Sequence, residues 1–127
     1  MIKKFQNSSR ITWTNHAQQK MIFYRLSEER VKRVLYHPDR VEEGIAPETV
    51  AAMQKAGSQN HPYEIWIMYQ KIHSVGPKKK EFAIDTSKIR MISAWRYPGQ
   101  SSEGKKIAIP DDVYQDLISL GIIQKNA

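Results

Sequence analysis

The sequence predicts an α+β fold, in which helices and strands occupy separate stretches of the chain. Ala17, Met21 and Tyr24 recur at i, i+4 and i+7, the spacing of an amphipathic helix. Residues 63–73 and 88–99 are rich in β-branched and aromatic residues, with apolar side chains on both faces, which is typical of interior strands. Helical patterns come first, strand patterns follow and one helical pattern closes the chain, so we expect helices packed on an antiparallel sheet.

The N-terminal part predicts a helical hairpin. Residues 10–14 alternate enough for a short first strand, and residues 16–25 follow as the first helix. Ser27 is a good N-cap for a second helix, which Pro38 ends because the residue before a proline is pushed out of helical geometry. The short link between the two helices favours an antiparallel pair.

The middle of the chain predicts strands, with one open alternative. Residues 39–44 read as a short strand, but residues 45–60 fit either a helix, starting near Pro47 and ending before Gly57, or the return strand of a hairpin. We favour the strand, because the link from the preceding strand is short. Residues 75–81 read as a turn with a lysine triplet at its solvated tip.

Residues 88–99 form the strongest strand candidate. Strict alternation would divide it into one face with Ile89, Met91, Ser93, Trp95 and Tyr97, and another with Arg90, Ile92, Ala94 and Arg96. Pro98 and Gly99 end the strand, so Arg96 and Tyr97 lie where sheet gives way to loop. A last helix is predicted for residues 111–120, with two aspartates in its first turn and Gly121 at its end.

Size and charge limit the function. A chain of 127 residues fits one domain, with residues 10–98 as its core and residues 99–127 as an added loop and helix. Twenty Lys and Arg against thirteen Asp and Glu give a formal charge of +7, which favours a polyanionic partner such as RNA. The absence of cysteine excludes disulfides and thiolate chemistry, and no apolar run would span a membrane. We therefore expect a soluble, cytoplasmic protein.

Several short motifs are similar to those of a known group of proteins. The His16-Ala17, Lys20-Met21, Leu26-Ser27 and Pro38-Asp39-Arg40-Val41 segments, and the closing Ile-Ser-Ala-Trp-Arg-Tyr strand, resemble a family of small bacterial domains related to the BrnT and RelE ribonuclease toxins. The resemblance implies a barnase-like or RelE-like fold, RNA (including ribosome-bound RNA) as a partner, and a small antitoxin protein as another. At two positions this chain differs from the pattern: family members commonly carry an arginine where it has Tyr24, and a glycine where it has Arg25.

Metal-independent RNA cleavage needs a base, an acid and cations for the phosphate. His16 can serve as base or acid, Lys20 lies one helical turn away, and Arg96 can bind phosphate in bidentate fashion. These three are the predicted catalytic residues. The predicted RNA-contacting residues are Arg25, Tyr69, Ser93 and Tyr97.

Structural interpretations stand beside each of these roles. His16 could bind a backbone carbonyl, and Arg96 could pair with Glu42 or Glu43 across the sheet. The alternative function is a non-catalytic basic module that binds RNA or an acidic protein. The four histidines lack metal-ligand spacing, and no dinucleotide or P-loop glycine fingerprint occurs, so no metal and no cofactor are expected.

Overall fold

The computed structural model describes residues 10–72, 88–102, 107 and 109–124. These residues form five strands and three helices: β1 (Ile11–Trp13), α1 (Asn15–Phe23), α2 (Glu28–Tyr36), β2 (Arg40–Glu43), β3 (Thr49–Gly57), β4 (Pro62–Ile72), β5 (Lys88–Pro98) and α3 (Asp111–Ser119). The predicted α+β class, the two N-terminal helices and the last helix are confirmed. The open segment 45–60 contains strand β3, as favoured, while the predicted turn at residues 75–81 lies outside the described residues.

The five strands form one mixed sheet in the order β1-β5-β4-β3-β2. Strands β2 to β5 pair antiparallel, as predicted, but β1 pairs parallel to β5. The prediction of a purely antiparallel sheet is therefore wrong at this edge. A parallel partner needs a long crossover connection, and here that connection comprises most of the domain.

Local capping explains the hairpin. The Thr14 side chain accepts a hydrogen bond from Ala17 N at the start of α1, and Ser27 does the same for Arg30 N at the start of α2. The Thr14 hydroxyl also donates to the carbonyl of Met91, 2.7 Å away, which fixes the start of α1 against β5. Between the helices, Arg25 adopts a φ of 57°, the left-handed region in which glycine is favoured.

The sheet is covered on both faces. On one face, Ala17 and Met21 of α1 and Val31 and Val34 of α2 pack in one buried cluster with residues of the sheet. On the other, Val113 and Leu117 of α3 pack in a second cluster, whose sheet residues include Met53, Met68, Trp66 and Trp95. We call these the hairpin face and the α3 face. Among the described residues, no helix is long and apolar enough to cross a bilayer.

A β-bulge in β5 overturns the predicted alternation. Met68 pairs with Ser93 and Tyr69 with Met91, so Ile92 is an extra residue in the ladder. Before the bulge, Ile89 and Met91 point to the hairpin face. After it, Ala94 occupies the hairpin face and Trp95 the α3 face, where its ring stacks at 6.2 Å on that of Trp66. Met91 and Trp95 were predicted to share a face, and the inserted residue separates them.

Candidate functional site

The structure brings two of the three predicted catalytic residues together. His16 and Lys20 lie one turn apart on α1, which packs mainly against β5. Both side chains are buried, with exposed fractions of 6% and 8%. They form a polar cluster with Ser93 of β5 and with Asp112 and Asp116 of α3.

His16 contacts side chains of both β5 and α3. Its Nε2 lies 3.0 Å from the Ser93 hydroxyl oxygen, and its Nδ1 lies 3.9 Å from Asp116 Oδ2. Burial lowers the pKa of His16 below its ordinary value, and the carboxylate of Asp116 only partly offsets this effect. The neutral imidazole is therefore favoured near neutral pH, which is the form that a general base requires.

Lys20 is neutralised by α3. Its Nζ lies 2.8 Å from Asp112 Oδ2 and 2.7 Å from Asp116 Oδ2. Burial alone would lower the pKa of Lys20, but the hydrogen bonds that its ammonium donates to the two carboxylates outweigh burial and raise that pKa. The Tyr24 hydroxyl donates to Asp112 Oδ1 at 2.8 Å. Acidic oxygens thus already occupy two of the three N–H donors of the ammonium group.

Arg96, the third predicted catalytic residue, binds the backbone at the end of α1 and takes no part in the hydrogen bonds of His16 and Lys20. Its Nε donates to the carbonyl of Tyr24 at 2.6 Å, and its Nη2 donates to that of Arg25 at 3.1 Å. These carbonyls follow the last turn of α1, where a cation is favoured. Tyr24 is eight residues beyond His16, which is a rise of about 12 Å along the helix. One phosphate group is too small to contact both His16 and the guanidinium of Arg96 that is held at Tyr24. The alternative pairing of Arg96 with Glu42 or Glu43 does not form.

Arg96 belongs to a group of arginines that we call the arginine cluster: Arg30, whose charge is affected by both Arg33 and Arg96, Arg33 itself, and Arg25, whose carbonyl binds Arg96. Burial lowers the pKa of Arg30, and the nearby charges of Arg33 and Arg96 lower it further. The Arg96 guanidinium also lies 5.0 Å from the ring centroid of Tyr63. Among the described residues, none of these arginines forms a salt bridge with a carboxylate. The cluster therefore keeps its positive charge.

The other predicted RNA-contacting residues differ in accessibility. Tyr69 is 8% exposed within the hairpin-face core, and Ser93 is fully buried. Tyr97 is half-buried and packs against the α3-face cluster. Arg25 is exposed beside Arg96. Of the predicted contacts, only Arg25 and Tyr97 present a side chain to solvent in this structure.

Sequence reasoning missed Tyr24, Asp112 and Asp116 as members of the buried cluster. Tyr24 continues the four-residue spacing of His16 and Lys20, and the two aspartates are four residues apart on α3. Matching spacings of donors on one helix and acceptors on another were the available signal. Nothing local, however, marks α3 as the partner of α1.

A second buried polar group lies on the α3 face. Glu64 is 1% exposed and accepts hydrogen bonds from Trp66 Nε1 and from both the backbone N–H and the hydroxyl of Ser101. Arg40 lies over the Trp66 ring and also donates to Ser101. These bonds hold the loop after β5 against the sheet, so we assign Glu64 a structural role.

Comparisons with protein-family models, curated proteins and solved structures find no significant match to this chain. Within the described part of the chain, no three His, Asp or Glu side chains are grouped closely enough to hold a metal ion. The candidate site is therefore defined by two regions, the buried cluster around Lys20 and the arginine cluster.

Proposed function

We propose that the protein is an RNA-binding domain of the BrnT and RelE-like kind, and that its arginine cluster binds the phosphate backbone. The observation that supports the proposal is that the charge of Lys20 is neutralised by carboxylates while the charges of the arginine cluster are not. Lys20 is paired with two carboxylates, whereas Arg25, Arg30, Arg33 and Arg96 form no salt bridge with a carboxylate among the described residues, and Asp39 acts on Arg30 only at longer range. Cations without acidic partners are the ones available to a polyanion.

The shape of the cluster supports RNA as the polyanion. Backbone carbonyls hold the Arg96 guanidinium in a fixed orientation, so less side-chain entropy is lost when phosphate binds. Tyr63 of β4 adds a half-buried aromatic ring beside the Arg96 guanidinium, whereas Tyr97 of β5 packs on the α3 face. Guanidinium groups and aromatic rings together are typical of sites that bind single-stranded RNA.

Fluorescence anisotropy with a labelled single-stranded RNA tests the proposal. We expect affinity to fall as salt rises, and the slope of log K against log salt to shrink by about 2 in the Arg30→Gln, Arg33→Gln, Arg96→Gln triple variant, since each phosphate contact contributes about 0.7. Arg90→Gln is the control, because Arg90 is an exposed arginine near the other end of β5. Equal slopes for the wild type and the triple variant would refute the proposed surface.

A second candidate, metal-independent endoribonuclease activity, is favoured by one observation. His16 is held in its neutral form beside Ser93 and Lys20, a set that can move a proton and stabilise a phosphate. The test is RNA incubated in EDTA with the wild type, His16→Ala and Arg96→Ala. Cleavage that His16→Ala loses supports catalysis, whereas Arg96→Ala should lower cleavage only through weaker RNA binding. No cleavage by the wild type leaves the non-catalytic module as the function.

A further inference from the structure

Three side chains of α1 form a row of hydrogen-bond donors, which we call the donor stripe: His16, Lys20 and Tyr24. They are spaced four residues apart and lie on one side of the helix. All three face the same two carboxylates. Lys20 contacts Asp112 and Asp116, Tyr24 contacts Asp112, and His16 lies nearest Asp116. The stripe therefore surrounds a small volume that is filled by acidic oxygens.

The carboxylates lie between the donor stripe and solvent. The side chain of Lys20 is 10% exposed, whereas those of Asp112 and Asp116 are 39% and 45% exposed. Two oxygens, one from each aspartate, contact a single ammonium at 2.8 and 2.7 Å. A phosphate group presents several oxygens at close range in the same way, and it forms the same charge-assisted hydrogen bonds.

Moving these carboxylates does not require moving α3. The helix is seated by Val113 and Leu117, which are fully buried on the α3 face next to Trp66 and Trp95. Undocking it would expose that core, but rotating two half-exposed aspartate side chains would not. With His16 neutral, the present charge of the site is one cation against two anions, so an approaching phosphate is repelled until the carboxylates turn away.

We propose that the donor stripe is a phosphate-binding site whose ligand position is occupied by the protein's own Asp112 and Asp116. The ligand class is a phosphate group of RNA, and this identity rests on the proposed function. The two carboxylates act as an internal competitor, so the site is filled only when the RNA is held nearby by the arginine cluster or when the aspartates are displaced.

The test is a double variant, Asp112→Asn with Asp116→Asn, titrated with inorganic phosphate and with the labelled RNA. We expect phosphate to bind about tenfold more tightly than to the wild type, since one charge-assisted hydrogen bond is worth at least that factor. The matched control removes two exposed acids, Asp111→Asn with Glu43→Gln, and leaves affinity unchanged. Adding Lys20→Gln to the double variant abolishes the gain.

Circular dichroism first establishes that the double variant folds. If it does not, the single variant Asp112→Asn keeps Asp116 on Lys20 and is expected to show a smaller gain, about threefold, over Asp111→Asn. A folded variant that binds phosphate no better than its control overturns the proposal.

The two proposals fail separately. A wild type that does not bind RNA, together with a variant that gains phosphate affinity, refutes the RNA-binding function and supports the donor-stripe site. A wild type that binds RNA through the arginine cluster, together with a variant that gains neither phosphate nor RNA affinity, supports the RNA-binding function and refutes the site.

Discussion

Two cations near the C-terminal end of α1 have opposite kinds of partner. At Lys20, a buried ammonium is matched with two carboxylates from a helix 92 residues later. At Arg96, a guanidinium is held by two backbone carbonyls and a tyrosine ring, with no carboxylate partner in the described part of the chain. Carbonyls orient a cation without neutralising it, whereas carboxylates do both. The first arrangement favours stability and the second keeps charge for a ligand.

The largest expected effect concerns the neutralised cation, Lys20. Lys20→Met leaves two carboxylates facing one another without a cation, so the free energy of unfolding should fall by about 2 to 3 kcal/mol, less than for a fully buried pair because the aspartates are half-exposed. Urea denaturation measures this. Lys55→Met, on an exposed lysine of β3, is the control and should change little. Equal stability of the two variants would show that the ion pairs contribute nothing.

Substitutions of Arg96 test the cation that is held by backbone carbonyls. Arg96→Ala removes both the charge and the bonds to Tyr24 and Arg25, so we expect a loss of about 1 to 2 kcal/mol in stability and about tenfold in RNA affinity. Arg96→Lys keeps the charge but cannot hold both carbonyls. It should retain most of the RNA affinity while losing similar stability. A lysine variant as weak in binding as the alanine variant would show that geometry, rather than charge, determines affinity.

The pH dependence of stability reports on His16. Burial lowers the pKa of His16 in the folded state, so the unfolded chain binds the proton more tightly than the folded protein does. The unfolded chain takes up this proton below about pH 6.5, the ordinary pKa of histidine. Stability is therefore complete above that pH and declines on acidification towards the folded pKa. The melting temperature should be higher at pH 7.5 than at pH 5.5, and His16→Asn should reduce the difference. A variant with the same difference would assign the effect to other groups.

The smallest expected effect concerns the backbone at Arg25. A glycine there relieves the positive φ, and we expect stability to rise by about 0.5 kcal/mol, while RNA affinity falls about threefold with the lost charge. Glu48→Gly is the matched control, because Glu48 also has a positive φ, of 60°, in the turn between β2 and β3. It should gain similar stability without weakening RNA binding. Unchanged affinity in Arg25→Gly would remove this residue from the cluster.

The helices and strands could be predicted because their signals are local. Caps at Thr14 and Ser27, the apolar spacing of α1 and the β-branched runs of β4 and β5 each depend on a few neighbouring residues. The bulge at Ile92 has no such signal, since no glycine or proline marks it. One unmarked insertion was enough to reverse the predicted faces of Ala94 and Trp95.

The candidate site could be predicted only in part, because its members come from distant parts of the chain. His16 and Lys20 are neighbours on one helix, so their proximity follows from spacing. The pairing of Lys20 with Asp112 joins residues 92 apart, and nothing in either segment specifies the other. Arg96 was placed at the end of its strand, but its attachment to the carbonyls of Tyr24 and Arg25 depends on the packing of α1 against β5.

The parallel pairing of β1 with β5 sets an order of assembly. The hydroxyl of Thr14, just after β1, reaches the carbonyl of Ile92, which is 78 residues later. The hairpin of α1 and α2 and the meander of β2, β3 and β4 involve closer partners, so they can form while the rest of the chain is still being synthesised. Until β5 arrives, one edge of β4 is an unpaired strand of mostly apolar residues. The nascent protein therefore exposes this apolar edge until β5 is added across the short connection from β4, and we expect the pairing of β1 with β5, which closes the longest loop, to come last.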